Sequence, residues 1–434
     1  MADERFDVIV VGAGPAGTAA ALTMARGGLK VALIERGEFP GAKNIFGGVI
    51  YRQQVEDLVP EFWKEAPLER NVIEQRMALL SDDGVVTVGH RNERFKNPPN
   101  CWTGLRVKFD PWFAGKAQAA GAVPVYQTVV TEILKQGEQV IGVRTDREDG
   151  DLLANIVILA DGVNSLLGKQ LGAHREWRPD EVSLAVKEVI RLPKEKIEDR
   201  FNLESGEGCT IELIGGTMDM AGLGFLYTNN ETLSLGVGVM VNDLRKRHIK
   251  PYEVLDAMKQ HPYIRKLIAG GETLEYSGHL IPEGGFTSLP RVSGDGWMIC
   301  GDAAQMVNAV HREGTNLAMT SGRLAGETAI EAHMRGDFSC GMLEDYDKSI
   351  KDSFVRKDLK KYRGMHGLMT EGDPERLFRT LPDAVNEAGY QWLSVDAKTK
   401  KEKQKEAMRT LIAATGGRSD LMRLAMRGWR AMNG

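Results

Sequence analysis

The chain opens with a short apolar run, residues 6–11 (FDVIVV), rich in β-branched side chains and without alternation. Such a run predicts a strand buried on both faces, as in a parallel sheet. A glycine-rich turn follows at Gly12–Gly17, then an Ala/Leu/Met stretch to Arg26 with helical composition, ended by Gly27 and Gly28. Residues 30–34 (KVALI) form a second buried run that stops at Glu35. Strand, helix and strand in this short span make a βαβ unit of the length that dinucleotide binding requires.

Beyond it, residues 37–50 read as a glycine-rich loop. Residues 72–90 predict two strands turning at Asp82-Asp83-Gly84, and residues 103–120 a strand-to-helix element starting at Arg106. Residues 139–145 alternate, and 153–160 (LANIVILA) form another buried strand ending at Asp161-Gly162. Residues 181–240 carry alternating segments such as SLAVKEVIRL and LSLGVGVMV, which predict an antiparallel sheet in a second lobe. Residues 297–300 (WMIC) return to a short buried strand before Gly301-Asp302, with a long helix from about 314 to 334 and mostly helix over 341–434. There is no internal repeat and no low-complexity linker.

Composition narrows the class. The 434 residues are too many for one simple core, and 42% hydrophobic with 27% charged residues is an ordinary globular balance. The net charge of −4 gives no nucleic-acid signal, but it is uneven. Ten basic residues face three acids from Ala397 to Gly434, which leaves about +7 there and about −11 on the rest. Cys101, Cys209, Cys300 and Cys340 are widely separated, so neither a zinc site nor an iron–sulfur cluster is read, and reduced thiols are expected. No signal-peptide design and no apolar run of about 18 residues stands out, so a cytoplasmic chain that touches a membrane from one side at most is expected.

The chemistry begins at Gly12-x-Gly14-x-x-Gly17. The first glycine permits the tight turn, the second lets backbone amides approach a pyrophosphate, and the third lets helix and strand pack closely. The helix start behind them carries a partial positive charge suited to an anion. Glu35 closes the next strand eighteen residues after Gly17, where an acid can accept hydrogen bonds from an adenosine ribose. Two further strand-end acids, Asp161 of Ala160-Asp161-Gly162 and Asp302 of Cys300-Gly301-Asp302, lie where an open parallel sheet places its ligands. This pairing favours FAD over a nicotinamide cofactor. The expected fold is therefore α/β: a Rossmann-like FAD-binding domain of the glutathione-reductase type, an α+β second domain with an antiparallel sheet, and a helical C-terminal region. The FAD-binding domain is expected over 1–175, with 50–100 contributing to the second lobe and 291–340 as its return segment. A quinone or substrate domain is expected over 176–290, and helices with a basic tail over 341–434.

The stretch Pro40–Tyr51 (PGAKNIFGGVIY), the segment GFLYTNNETLSLGVGV and the segment CGDAAQMVNAVHREGTNLAMTSGRLAGETA resemble the electron-transfer-flavoprotein:quinone oxidoreductases. The resemblance is closest to the C subunit of the bacterial and archaeal Fix (Etf) complexes and runs from about residue 5 to 345. It implies that the Asp302 carboxylate holds the ribityl chain of FAD. It also implies that Gly314, Thr315 and Asn316 present a helix N-terminus to the pyrimidine edge of the isoalloxazine, that Arg106 reaches the phosphates or ribityl chain, and that Gly47 and Gly48 let the backbone pass the ring. His311 either tunes the flavin or is a capping or packing histidine. The full expected cofactor set adds Pro15, Ala16, Arg36, Asn44, Val130, Asp161, Gly162 and Gly301.

The resemblance further implies electrons passing from the alpha and beta subunits of an electron-transfer flavoprotein, through FAD, to a membrane quinone, in an NADH-dependent bifurcating complex. Mitochondrial members carry a C-terminal ferredoxin-like region with four cysteines. The absence of that pattern here implies a separate ferredoxin-like iron–sulfur subunit. In the tail, RSDLMRLAMRGWRAMNG, Met422, Met426 and Trp429 share one helical stripe and Leu421, Leu424 and Ala425 its neighbour, beside Arg423, Arg427 and Arg430. Such a helix rests on an anionic bilayer, docks on an acidic partner, or covers its own domain. Phe225, Tyr227 and Trp297 are aromatic candidates for a quinone site by lobe position, with core packing the plainer reading. A geranylgeranyl-type reductase or hydroxylase taking hydride from NAD(P)H is the competing function, and an FAD-bearing scaffold a third.

Overall fold

A computed structural model describes residues 5–42, 48–370 and 373–433. The chain divides into two compact units. The first comprises Met1–Leu68, Gly104–Glu181 and Leu280–Lys360; the second comprises Glu69–Thr103, Val182–His279 and Lys361–Gly434.

The first unit is built on a parallel sheet. Strand Phe6–Val11 runs between Val31–Ile34 and Asp151–Leu159, with Val8 opposite Val31 and Val10 opposite Ile158. Val123–Val125 and Trp297–Ile299 extend the sheet on either side, and Ser293–Gly294 closes one edge antiparallel. The apolar runs within these strands follow from burial on both faces: Ile9, Val10, Ile156 and Ile158 are fully enclosed. A hairpin, Val130–Gln136 with Gln139–Thr145, extends from the start of Asp151–Leu159.

Helix Pro15–Arg26 buries ten of its twelve residues, five of them alanine. Small side chains are needed there because helix Thr315–Arg335 lies directly on it. A Cβ on Gly326 would come 2.9 Å from the Thr23 side chain, and one on Gly301 2.8 Å from Ala16. Tyr346, on helix Cys340–Asp352, donates its hydroxyl to the Ile299 carbonyl at 3.0 Å and anchors the return strand.

The second unit is a sheet backed by helices on one face. Val182–Arg191, Thr232–Met240, Gly222–Thr228 and Glu207–Ile214 are antiparallel neighbours, as their alternation predicts. The next pair departs from that pattern: Glu207–Ile214 runs parallel to Leu68–Leu80, with an irregularity at Gly208–Cys209. The two strands belong to distant chain segments, and parallel pairing needs such a long crossover. Leu233, Leu235, Val237 and Val239 pack under helix Pro251–Gln260, while Phe225 and Tyr227 stand on the opposite face.

The Asp82–Gly84 turn forms where expected, between Leu68–Leu80 and Val85–Arg91. Arg379 grips Asp82 through two hydrogen bonds of 2.7 Å and pairs with Asp383 at 2.7 Å. Asn386 donates to the Leu79 carbonyl at 3.0 Å. These contacts fasten the C-terminal helices to the second unit's own hairpin. Helix Arg418–Asn433 rests on Gly364 through buried Ala431, while Met422, Met426 and Trp429 are exposed. No helix among the described residues is long and apolar enough to cross a membrane.

Candidate functional site

The glycine turn has three distinct requirements. Gly12 has φ +102°, and a Cβ there would lie 2.3 Å from the Ala160 carbonyl oxygen. A Cβ on Gly17 would lie 1.9 Å from the Gly12 carbonyl oxygen, so strand and helix touch through backbone. Gly14 differs: a Cβ there meets no protein atom within 4 Å. It is the N-cap of helix Pro15–Arg26, with no side-chain cap and no acid in the first turn. Pro15 suits the first helical position, and with Ala16 it is buried. The helix N-terminus therefore faces an open space bounded by backbone, which fits an anion.

Glu35 ties the turn to the following loop. Its carboxylate accepts the Ala13 amide at 3.0 Å and the Gly37 amide at 2.7 Å. A carboxylate has about four acceptor positions, so this bracing leaves capacity for ribose hydroxyls. The Thr128 amide donates to the Glu35 carbonyl at 3.1 Å, which brings the start of the hairpin alongside. Val130, half-buried, is the first residue of that hairpin. Arg36 is exposed, and its charge acts on Asp161.

Asp161 and Asp302 follow adjacent parallel strands. The Ala160 amide donates to Val11 at 2.8 Å and the Cys300 amide to Leu159 at 3.0 Å, so both acids emerge at the same sheet edge. Burial raises the Asp161 carboxyl to about 6, against hydrogen bonds from the Leu167 and Asp161 amides. Its Oδ1 is buried without a hydrogen-bond partner, and Gly162 beside it has φ +78° in open space. Burial likewise raises Asp302 to about 6, and the charge of Arg106 opposes the shift. Gly301 has φ +66°.

Arg106 begins helix Arg106–Ala119 and is buried together with Asp110. Its Nε and Nη2 donate to the two Asp110 oxygens at 2.5 and 2.6 Å. The pair is thus a buried fork and not a surface salt bridge.

The helix expected near 314 starts at Thr315, with Gly314 as N-cap and no side-chain cap. Residues 308–313 form a small loop closed by a reciprocal Asn308–Glu313 backbone bridge, at 2.9 and 3.1 Å. Thr315 and Asn316 are buried, and Asn316 Oδ1 has no hydrogen-bond partner. Thr315 donates its hydroxyl to the Val49 carbonyl at 3.4 Å, and the Gly48 carbonyl accepts the Gly104 amide at 2.9 Å. Those bonds draw strand Val49–Tyr51 against the helix start. Asn44 and Gly47 lie outside the described residues. His311 is exposed.

Two residues escaped the sequence reading. Arg312, in the left-handed region at φ +53°, has a guanidinium brought down to about 10 by burial, with Tyr51 opposing. Asp110 carried only a weak signal, its four-residue spacing from Arg106.

These residues fit FAD. An uncapped helix start with open space at Gly14 suits a diphosphate, and the unpartnered Asp161 Oδ1 and Asn316 Oδ1 are acceptors awaiting donors. Among the described residues no group of three or more His, Cys, Asp or Glu could hold a metal ion, and all four cysteines are free thiols. In the second unit, Phe225 and Tyr227 stack at 4.8 Å between ring centroids, and the Phe225 ring lies over Gly236. Trp297 departs from its candidate role: it is 3% exposed in the first unit's sheet, against Gly294 and under Arg291.

Three family models match the chain: FAD dependent oxidoreductase at 7–167, ETF-QO ubiquinone-binding at 182–281, and the ETF-QO/FixC family C-terminal domain at 365–433. The chain is 48% identical to Protein FixC of Bradyrhizobium diazoefficiens, over 99% of this chain and 100% of that one. It is 39% identical to the probable electron transfer flavoprotein-quinone oxidoreductase YdiS of Escherichia coli, over 94% and 95%. A geranylgeranyl bacteriochlorophyll reductase-like protein of Thermoplasma acidophilum shares the fold, with TM-score 0.72 and 22% identity over 98% and 99%. The likeness read over residues 5–345 thus extends through the tail. The chain belongs to the ETF-QO/FixC family of FAD-dependent oxidoreductases and carries that family's ubiquinone-binding domain.

Proposed function

We propose that this chain passes electrons from an electron-transfer flavoprotein of alpha and beta subunits to a membrane quinone, within an NADH-dependent electron-bifurcating complex. The near end-to-end likeness to FixC proteins carries this reading, and the likeness to YdiS supports the same electron route. The four cysteines are dispersed, three of them buried, so the iron–sulfur centre is assigned to a separate ferredoxin-like subunit.

Bound FAD supplies the centre that takes up and releases electrons. The chain's residues bind and orient it. Gly12, Gly14 and Gly17, with Pro15 and Ala16, frame the pyrophosphate at the helix start. Glu35, Arg36 and Val130 take the adenosine end. Arg106, Asp161, Gly162, Gly301 and Asp302 line the middle of the cofactor, with the Asp302 carboxylate accepting from ribityl hydroxyls. Gly47 and Gly48 let the backbone pass the ring, and Asn44 of the same segment completes the cofactor set. Gly314, Thr315 and Asn316 direct helix amides at its pyrimidine edge, where they stabilise negative charge. The ubiquinone-binding domain supplies the quinone side, with Phe225 and Tyr227 as an aromatic surface.

We place the protein peripherally at the cytoplasmic face of the membrane. The exposed Met422, Met426 and Trp429, flanked by exposed Arg423 and Arg430, suit an anionic lipid surface.

Purification from the native host, followed by reconstitution, tests the proposal. An electron-transfer flavoprotein and a small iron–sulfur protein are expected to accompany the chain, and a quinone analogue to reoxidise its flavin. Rapid bleaching of the flavin by NADPH alone would overturn the proposal in favour of a reductase or hydroxylase.

A further inference from the structure

Exposed apolar side chains scattered singly need no explanation, but a cluster of them does. At the end of helix Leu381–Leu393 four stand within six residues: Tyr390, Trp392, Leu393 and Val395. Leu393 is 77% and Val395 89% exposed, the two highest values for a large apolar residue among the described residues.

The turn that carries them is built from internal hydrogen bonds. The Tyr390 carbonyl accepts the Ser394 amide at 2.9 Å and the Ser394 hydroxyl at 2.6 Å. Asp396 accepts the Lys398 amide at 2.8 Å and the ammonium of buried Lys403 at 3.0 Å. Thr399 and Glu402 form a capping box at the start of helix Lys400–Ala414, with the Thr399 amide donating to Glu402 at 2.7 Å. A polar group that leaves water is costly where no protein partner replaces the solvent, and these groups already have partners.

Charge selects the occupant. Lys401, Lys405 and Met408 recur at i, i+4 and i+7 on helix Lys400–Ala414, and all three are exposed. From Val395 to Arg409 six basic residues face three acids, which leaves about +3 beside the apolar cluster. We propose that this turn is a membrane-docking element. Leu393 and Val395 enter the boundary between headgroups and acyl chains of an anionic bilayer, Tyr390 and Trp392 sit at the interface, and Lys401 and Lys405 meet the lipid phosphates. The proposal rests on the peripheral placement above and assigns penetration to the turn between two helices, apart from the stripe in 418–434.

The test is flotation of the full chain carrying FAD, without partner proteins, on vesicles of phosphatidylcholine alone or mixed with phosphatidylglycerol. The wild-type chain is expected to float with the anionic vesicles. Leu393→Asp with Val395→Asp is expected to lower the partition coefficient about ten- to hundred-fold, the scale of keeping two apolar side chains in water, with FAD content and melting temperature unchanged. Lys401→Glu with Lys405→Glu is expected to lower it about ten-fold or more on anionic vesicles and to leave it unchanged on neutral ones. If the aspartates disturb the turn, Leu393→Ser with Val395→Ser carries the comparison. Wild-type flotation of the Leu393 and Val395 variants would overturn the proposal and leave the peripheral placement to the tail. Loss of a co-purifying subunit with vesicle binding intact would also overturn it, in favour of a protein partner on the turn. Flotation of the wild-type chain with neither vesicle would overturn the peripheral placement itself, and the proposal with it.

Discussion

Gly322 lies against Ala16 so closely that a Cβ on Gly322 would come 2.0 Å from the Ala16 carbonyl oxygen. Ala16 is in the first turn of Pro15–Arg26, and Gly322 is in the third turn of Thr315–Arg335. Backbone contact fixes these two helices against each other within one unit, although Ala16 and Gly322 are 306 residues apart in sequence. The two partial positive charges assigned to the pyrophosphate and to the isoalloxazine of FAD thus share one rigid support.

Gly14 and Gly17 separate ligand binding from folding. Gly14→Val is expected to leave the apoprotein's melting temperature within a few degrees, because no protein atom lies within 4 Å of its Cβ, yet to abolish flavin binding. Gly17→Val forces a clash at 1.9 Å with backbone and is expected to prevent folding. Absorbance at the flavin band and circular dichroism read the two outcomes, and a full flavin spectrum in Gly14→Val would refute the pyrophosphate assignment.

Acidity acts on apoprotein and cofactor in opposite senses. Asp161 and Asp302 sit at about 6 when folded, above the unfolded value of about 3.9. Their contribution to apoprotein stability is full below about pH 4 and is lost as pH rises through 6. FAD is assigned to the ionised Asp302, so its Kd is expected to rise below pH 6, by up to about tenfold per pH unit. Asp302→Asn is expected to weaken binding at pH 7.5 and flatten that dependence in titrations from pH 5 to 8.

Arg70 is a stability centre of the second unit. It is fully buried and donates to the carbonyls of Asn229, Asn230 and Glu207 and to the Glu198 carboxylate, at 2.6–3.1 Å. Arg70→Ala is expected to cost about 3–5 kcal/mol, because those acceptors lose their donors in a dry site. Urea denaturation measures the loss, and a change under 1 kcal/mol would contradict the assignment.

The exposed tail stripe is tested by removal. Deleting residues 418–434 is expected to leave FAD content unchanged and to weaken membrane or subunit attachment. Ultracentrifugal fractionation and the size of the isolated complex provide the readout; an unaltered profile in both would exclude the tail as an attachment element.

The nucleotide unit was legible because its signals are local. A β-branched run, a spaced glycine turn and a strand-end acid each record a backbone constraint within a few residues. The pairing of Glu207–Ile214 with Leu68–Leu80 was not, because alternation shows which face is buried and not which distant strand lies alongside. Arg106 was recognised and its partner was not: a four-residue spacing is the same for a solvated pair and a buried one. Arg379 carried no signal at all, since its partner Asp82 lies in a turn about three hundred residues earlier.

Strand Asp151–Leu159 is flanked on one side by Trp297–Ile299, which the ribosome makes 138 residues later. At elongation rates of roughly 5–20 residues per second, that edge stays open for on the order of ten seconds. During synthesis the nascent chain thus presents an apolar template to any passing strand, and the cofactor cradle is complete only once most of the message has been read. Chaperone occupancy of the growing chain, and the timing of flavin loading, follow from this splicing of one sheet out of distant parts of the sequence.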